Sequence, residues 1–263
     1  MTYMRLTGYA DLFSVKPGKT IKFLVNCNGP KKYKAEIVKM INGDTNPRGP
    51  GLIEEPIKAK CNGDYDGRRQ IIHSGSYGYV EDCSQLHLES FTMQCWIWPT
   101  TPKTHPKYWR HGAQALMGKW SDDKGYGLFI NADGCIEMRV NGKKITTGAP
   151  VRDHAWHFVA ATYDAKTGEA VLFHEPQIQY ALDPTIDPVK QKIGDKMENQ
   201  DGVPFTVAAN TARLDDGELA RSSMPSGIVM EGHYNGKIDS PRLCRAALSR
   251  QDIETMKMGA QPG

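Results

Sequence analysis

No stretch of this 263-residue sequence approaches the roughly 18 consecutive apolar residues that a membrane-spanning helix needs. Met1 to Ala10 holds no apolar signal core either. Excess charge is also missing. A net charge of +3 leaves no electrostatic footprint for nucleic acid or an anionic membrane surface, so neither is expected as a partner. Cysteine is sparse: Cys27, Cys61, Cys83, Cys95, Cys135 and Cys244 form no C-x-x-C pair, which argues against a zinc ribbon. Asn-x-Ser/Thr acceptors do not occur. Thiols without framework spacing and the missing glycan acceptors together favour a reducing cytoplasm.

What is present reads as an all-β protein. A hydrophobic content of 39% and a charged content of 24% are ordinary for a globular chain, and the length suits one large domain or one with a small satellite. In residues 1–72, Ile21 to Val25 and Tyr33 to Val38 read as strands, with Lys16–Lys19 and Asn28–Pro30 as turns. The Pro- and Gly-rich run Gly43 to Gly51 forbids a helix or a central strand. Residues 73–263 carry the main domain. Phe91, Met93, Cys95 and Ile97 alternate with Thr92, Gln94, Trp96 and Trp98, a period of two that puts the first set on one face of a strand. Tyr126 to Ile130, Cys135 to Val140 and Val171 to Phe173 are further strands, joined by turns at Asn131–Gly134 and at Asn141-Gly142, a favoured hairpin pair. Asp183 to Gly202 reads as an exposed loop with solvated charges. One short helix is legible: Ser249 as N-cap, Asp252 as its capping-box partner, Leu248 and Ile253 as a hydrophobic staple, and Gly259 as the stop. Ile253 and Met256 should face inward.

Motifs that could carry chemistry are weak. Ser74-Gly75-Ser76-Tyr77-Gly78 is not a G-x-S-x-G elbow. Cys95 sits in an apolar strand, the opposite of the exposed, electropositive setting a nucleophilic thiol needs. A glycosidase needs two close carboxylates, and Lys237-Ile238-Asp239-Ser240 offers one. Asn62-Gly63-Asp64-Tyr65-Asp66-Gly67 copies the first half of a calcium loop but has His73 where the bidentate Glu should stand, and reads as a polar turn. His154 and His157 face opposite ways on a strand, which excludes joint ligation, and Trp156 between them reads as a core anchor. Tyr108, Trp109 and Trp120 could form an aromatic sugar platform, though burial explains such rings more often. No catalytic, cofactor-binding or metal residue is therefore assigned.

Two resemblances go further. The succession Ser76–Val80, Leu86–Pro99, Trp156–Asp164 and Asn235–Leu243 resembles a concanavalin A-like (laminin-G-like) domain. It implies an antiparallel jelly-roll sandwich, with a small β segment before it and one short helix near its end, but no function. Laminin-G-like domains close with an apolar strand after the helix. Met258 to Gly263 supplies none, so an unpaired edge is expected. Leu6–Asp11, Ser14–Gly18 and Gly43–Gly51, continued by Ser90–Thr92 and Trp96–Thr101, resemble the start of the large subunit of N,N-dimethylformamidases. That resemblance implies hydrolysis of N,N-dimethylformamide to dimethylamine and formate by the parent enzyme. It implies an iron-bearing catalytic part downstream of the sandwich and a small subunit as partner, hence a hetero-oligomer. It would make this chain a non-catalytic, N-terminal assembly region, either naturally short or a fragment of the subunit. The alternative is a stand-alone lectin-like carbohydrate-binding module.

Overall fold

The computed structural model describes residues 5–69, 75–104, 112–177, 186–194, 197–213 and 228–259. They divide into two compact units, one ending at residue 69 and the other beginning at residue 75.

The first unit is built from three two-stranded antiparallel ribbons. β1 (Leu6–Ala10) pairs with β2 (Phe23–Cys27). β3 (Lys32–Ala35) pairs with a later strand, and β4 (Ile37–Gly43) forms a hairpin with β5 (Leu52–Ile57) around the Pro- and Gly-rich turn. The partner of β3 is β6 (Gly63–Asp66). The strand expected over Tyr33 to Val38 is thus two strands, broken at Glu36. The break is pinned by Asn62, whose Oδ1 accepts from the Ile37 N–H at 2.9 Å while its Nδ2 donates to the Ile57 carbonyl at 2.8 Å.

The second unit is a two-sheet sandwich. Its strands are β7 (Gly78–Val80), β8 (Phe91–Pro99), β9 (Gln114–Ser121), β10 (Lys124–Ile130), β11 (Cys135–Val140), β12 (Lys143–Pro150), β13 (His157–Asp164), β14 (Glu169–Pro176), β15 (Val189–Lys192), β16 (Phe205–Val207), β17 (Asn210–Arg213), β18 (Ile228–Glu231) and β19 (Gly236–Cys244). One sheet has eight strands, running β12-β11-β10-β9-β16-β7, with β17 bridging β9 and β18. The other has five, in the order β15-β14-β13-β8-β19. Period-two alternation supplies the core between them: Phe91, Met93, Cys95 and Ile97 from β8 meet Tyr126, Leu128 and Ile130 from β10. Phe91 stacks on Tyr126 with ring centroids 4.8 Å apart. Asn141 and Gly142 take φ of 47° and 76°, as the mirror-image turn between β11 and β12 requires.

The outer face of the five-stranded sheet is covered by α1 (Arg250–Lys257). Ser249 and Asp252 close the expected capping box, and Ile253 packs with Leu248 on Phe158, Ala160 and Phe173. Thr92 ties the helix entry to β8: its hydroxyl donates to the Ala246 carbonyl and accepts from the Leu248 N–H. β19 lies at the sheet edge, where Pro241 falls within a register shift between Asp239 and Arg242, a combination that blunts edge pairing. The stretch Asp183 to Gly202 is not simply an exposed loop. It contributes β15, and Ile193 and Met197 are buried.

Candidate functional site

The most organised polar site is at one rim of the sandwich. Lys119 stands opposite Tyr126 in the β9–β10 register, so both side chains occupy one face. Tyr126 fills the core, and its hydroxyl donates to the Leu86 carbonyl at 3.0 Å. Lys119 runs alongside and is only 1% exposed, rare for lysine without full pairing. Its Nζ donates to Asp82 Oδ1 at 2.7 Å, to the Gln200 carbonyl at 2.6 Å and to the Val203 carbonyl at 2.5 Å. Three donors meet three acceptors, which is what makes the burial tolerable. Asp82 also accepts from His87 Nε2 at 2.9 Å and from the Gly202 N–H at 2.6 Å. Burial pushes the Asp82 carboxyl up, but the bonds from Lys119, Gly202 and His87 overcome this and hold it at about 2.

Asp82, His87 and Asp201 bring their ligand atoms within 4.8 Å of one another. Their donor set suits a divalent cation, yet the oxygens of Asp82 are already engaged by an ammonium, an imidazole N–H and an amide N–H. An iron ion would have to displace Lys119, so these residues do not fit one. The cluster works as a latch that holds residues 200–203 onto β9. Sequence reasoning did not find it, because lysine is read as a surface residue and its partners lie 37, 81 and 84 positions away.

A second buried polar pair lies inside the sandwich. His157 on β13 and His174 on β14 are each 1% exposed, with His157 Nδ1 2.9 Å from His174 Nε2. His157 Nε2 faces the Arg152 carbonyl at 2.9 Å, which can only accept, so that nitrogen carries the proton. In a neutral ring Nδ1 then accepts, and His174 donates through Nε2. His174 Nδ1 is left buried without a hydrogen-bond partner. Burial lowers both histidines, His174 to about 3 with the neighbouring His157 adding to it. His154, in contrast, is exposed, lies at φ 54° in the turn before β13 rather than on the expected strand, and stands edge-on to Trp98 at 5.0 Å, while His157 is engaged by His174 and Arg152. The true partner of His157 was readable only through the hairpin register that aligns β13 with β14.

The other sequence candidates fall as follows. Cys95 is buried and its thiol pushed up to about 12 by that burial, which removes it as a nucleophile. Asp239 lies exposed on edge strand β19, and the hollow it lines with Trp96, Trp156 and Gln177 has no second carboxylate among its described residues. Asp64 and Asp66 are not in a polar turn but on β6, directly opposite Lys34 and Lys32. Lys34 itself pairs with Glu36 at 2.6 Å, and Asp64 acts on it only as a weaker nearby charge. Ser76 precedes edge strand β7 rather than a helix. Tyr108 and Trp109 lie outside the described residues, as does His73. Trp120 is buried at 3% exposure, edge-on to Phe129 at 5.7 Å under the Arg139 guanidinium, so it offers no platform. Trp156 is half-buried rather than a core anchor. With Trp96, Gln177 and Asp239 it lines a surface hollow of about 240 Å³.

Residues 73–173 match the concanavalin A-like lectin/glucanases superfamily, in agreement with the sandwich. Across 278 aligned residues, covering 98% of the chain, 28% are identical to the N,N-dimethylformamidase β subunit of Paracoccus aminophilus. The chain resembles that β subunit over nearly its whole length. The β subunit of the Alcaligenes sp. N,N-dimethylformamidase is likewise 28% identical over 98% of the chain. The chain spans about a third of the length of these relatives, 34% in each case. Among solved structures, the sialidase CBM40 of Ruminococcus gnavus bound to α2,3-sialyllactose is 18% identical (TM-score 0.43, 64% of this chain and 82% of that one). The SAP-like pentraxin of Limulus polyphemus is 13% identical (TM-score 0.41, 64% and 70%). At these scores neither bears on function.

Proposed function

We propose that this chain is the non-catalytic, sandwich-bearing N-terminal region of an N,N-dimethylformamidase-like large subunit. The observation that carries this is the similarity to two such β subunits over 98% of the chain, of which the chain spans 34%. The parent reaction is hydrolysis of N,N-dimethylformamide by water to dimethylamine and formate. In this reading iron and the reacting groups belong to a catalytic part downstream, and the region acts in assembly with that part and with a small subunit. The site supports it chemically. Lys119 and Asp82 are spent on latching a loop, Cys95 is sealed in the core, and His157 and His174 are closed off from substrate. The reading also keeps the chain in the cytoplasm, where its free thiols stay reduced.

The test is amine release from N,N-dimethylformamide. The purified chain supplied with iron should release no dimethylamine, and activity should need the catalytic part and the small subunit together with it. Iron-dependent amine release by the chain alone would overturn the assignment. A lectin-like module is the second reading, and the observation favouring it is the hollow of Trp96 and Trp156 beside Gln177 and Asp239, two rings with polar groups at their edge. A glycan array without a hit, with and without calcium, removes it.

A further inference from the structure

The ribbon unit buries almost none of its apolar side chains. Among its described residues the only buried hydrophobic one is Cys27. The β4–β5 hairpin is the extreme case. All six residues of β5 are exposed, and Met40, Ile41, Leu52 and Ile53 are 52%, 47%, 54% and 43% exposed. A two-stranded hairpin in water is marginal, and one that shows apolar side chains on both faces and two unpaired edges gains nothing by doing so alone. Nearby, the face of β1–β2 that carries Leu6, Val25 and Phe23 and the face of β3–β6 that carries stacked Tyr33 and Tyr65 line an open groove of about 600 Å³. Apolar surface on this scale in so small a unit marks a contact with another protein surface.

Charge argues about what that surface is. Residues 1–72 hold thirteen Lys and Arg against seven Asp and Glu, a net +6 within a chain of net +3. The hairpin itself holds Lys39 and Arg48 against Asp44, Glu54 and Glu55, so the excess positive charge lies on the rest of the unit, where it would repel a second copy and attract an acidic rim around an apolar cleft. The two relatives carry about twice as much further polypeptide as this chain matches, 34% of each being covered. We propose that the β4–β5 hairpin is a docking arm, and the adjoining groove its companion surface, for the remaining two-thirds of an N,N-dimethylformamidase-type large subunit. This rests on the functional reading above and adds to it which residues make the contact. The hairpin would enter an apolar cleft of that part, with the basic residues of the other two ribbons facing acidic side chains.

The experiment places the photo-crosslinking residue p-benzoylphenylalanine at Met40 and, separately, at Leu52 in the chain expressed in its own host, followed by irradiation and mass spectrometry of the joined peptides. Joined peptides that align with the part of the relatives' β subunits outside the matched third are expected at both positions. Crosslinks to a second copy, to the sandwich unit of the same chain, to unrelated proteins, or to nothing overturn the proposal. Leu52→Ser and Met40→Ser serve as the folding control. Both should leave the thermal midpoint of the chain within about 2 °C, because exposed side chains carry little folding energy, while lowering recovery of the joined complex at least tenfold. Unchanged recovery also overturns it. Formamide hydrolysis by the assembly with no such crosslink defeats the docking surface alone. Crosslinks in an assembly that hydrolyses no formamide defeat the functional reading alone.

Discussion

Replacing Lys119 by Met removes an ammonium that closes three hydrogen bonds and substitutes an unbranched side chain of similar length, so packing is nearly conserved and polarity is not. What remains is the Asp82 carboxylate, 18% exposed, and two inward-facing carbonyls without that donor. Removing one partner of a buried pair costs about 3–5 kcal/mol. An Asp82 group held at about 2 instead of 3.8 is worth about 2 kcal/mol wherever it is ionised. Lys119 is the leading contributor among the bonds that lower it. The orphaned carbonyls supply the rest, at about 1–3 kcal/mol for each buried acceptor left bare. For a unit of this size a loss near 4 kcal/mol corresponds to a fall in Tm of roughly 10 °C. The assay is urea unfolding followed by tryptophan fluorescence for the parent chain, Lys119→Met, Asp82→Asn and the double variant. The single variants should each lose stability, and the double should lose less than their sum by about 2 kcal/mol. The contribution of Asp82 is present above pH 3.8 and is lost as pH falls toward about 2, so this acid-linked loss should shrink in Lys119→Met. A Lys119→Met chain within about 1 kcal/mol of the parent, or strict additivity in the double variant, would refute the latch.

Two further outcomes follow from the buried histidines and the helix cap. His174 is neutral when folded and protonates near 6.5 when unfolded, so stability should be level above pH 6.5 and fall by about 2–3 kcal/mol between pH 6.5 and 4.5. His174→Gln keeps a donor for His157 and should flatten that decline, and an unchanged slope in urea titrations would count against the pair. Ser249→Ala breaks the capping box that serves α1 and should lower stability by about 1 kcal/mol, read in the same unfolding assay. A loss under about 0.3 kcal/mol would mean the helix is held by Ile253 and Met256 alone.

The sequence by itself determined what is encoded locally. The alternation from Phe91 to Ile97 announced a strand with one face in the core, because strand side chains switch faces at every residue. Asn141-Gly142 announced its turn, because few residues accept positive φ. Ser249, Asp252, Leu248 and Ile253 announced the helix, because a cap and a staple are made within five positions of each other. Tertiary structure alone decided where polar groups went. Lys119 reads as a solvated lysine until Asp82, Gln200 and Val203 are brought around it by strand pairing. His157 finds His174 through a hairpin register, and Asp64 and Asp66 become strand residues through the ladder that pairs β6 with β3. Glu36 breaks an apparently continuous strand because Asn62 holds the chain from the far side of a hairpin. In each case the deciding partner is distant in sequence, and for Lys119 and His157 the buried charge or hydrogen-bonding group is stable only once that partner is in place. The exposed apolar faces of β4 and β5 belong with these: only the fold shows that nothing within their own ribbon unit covers them.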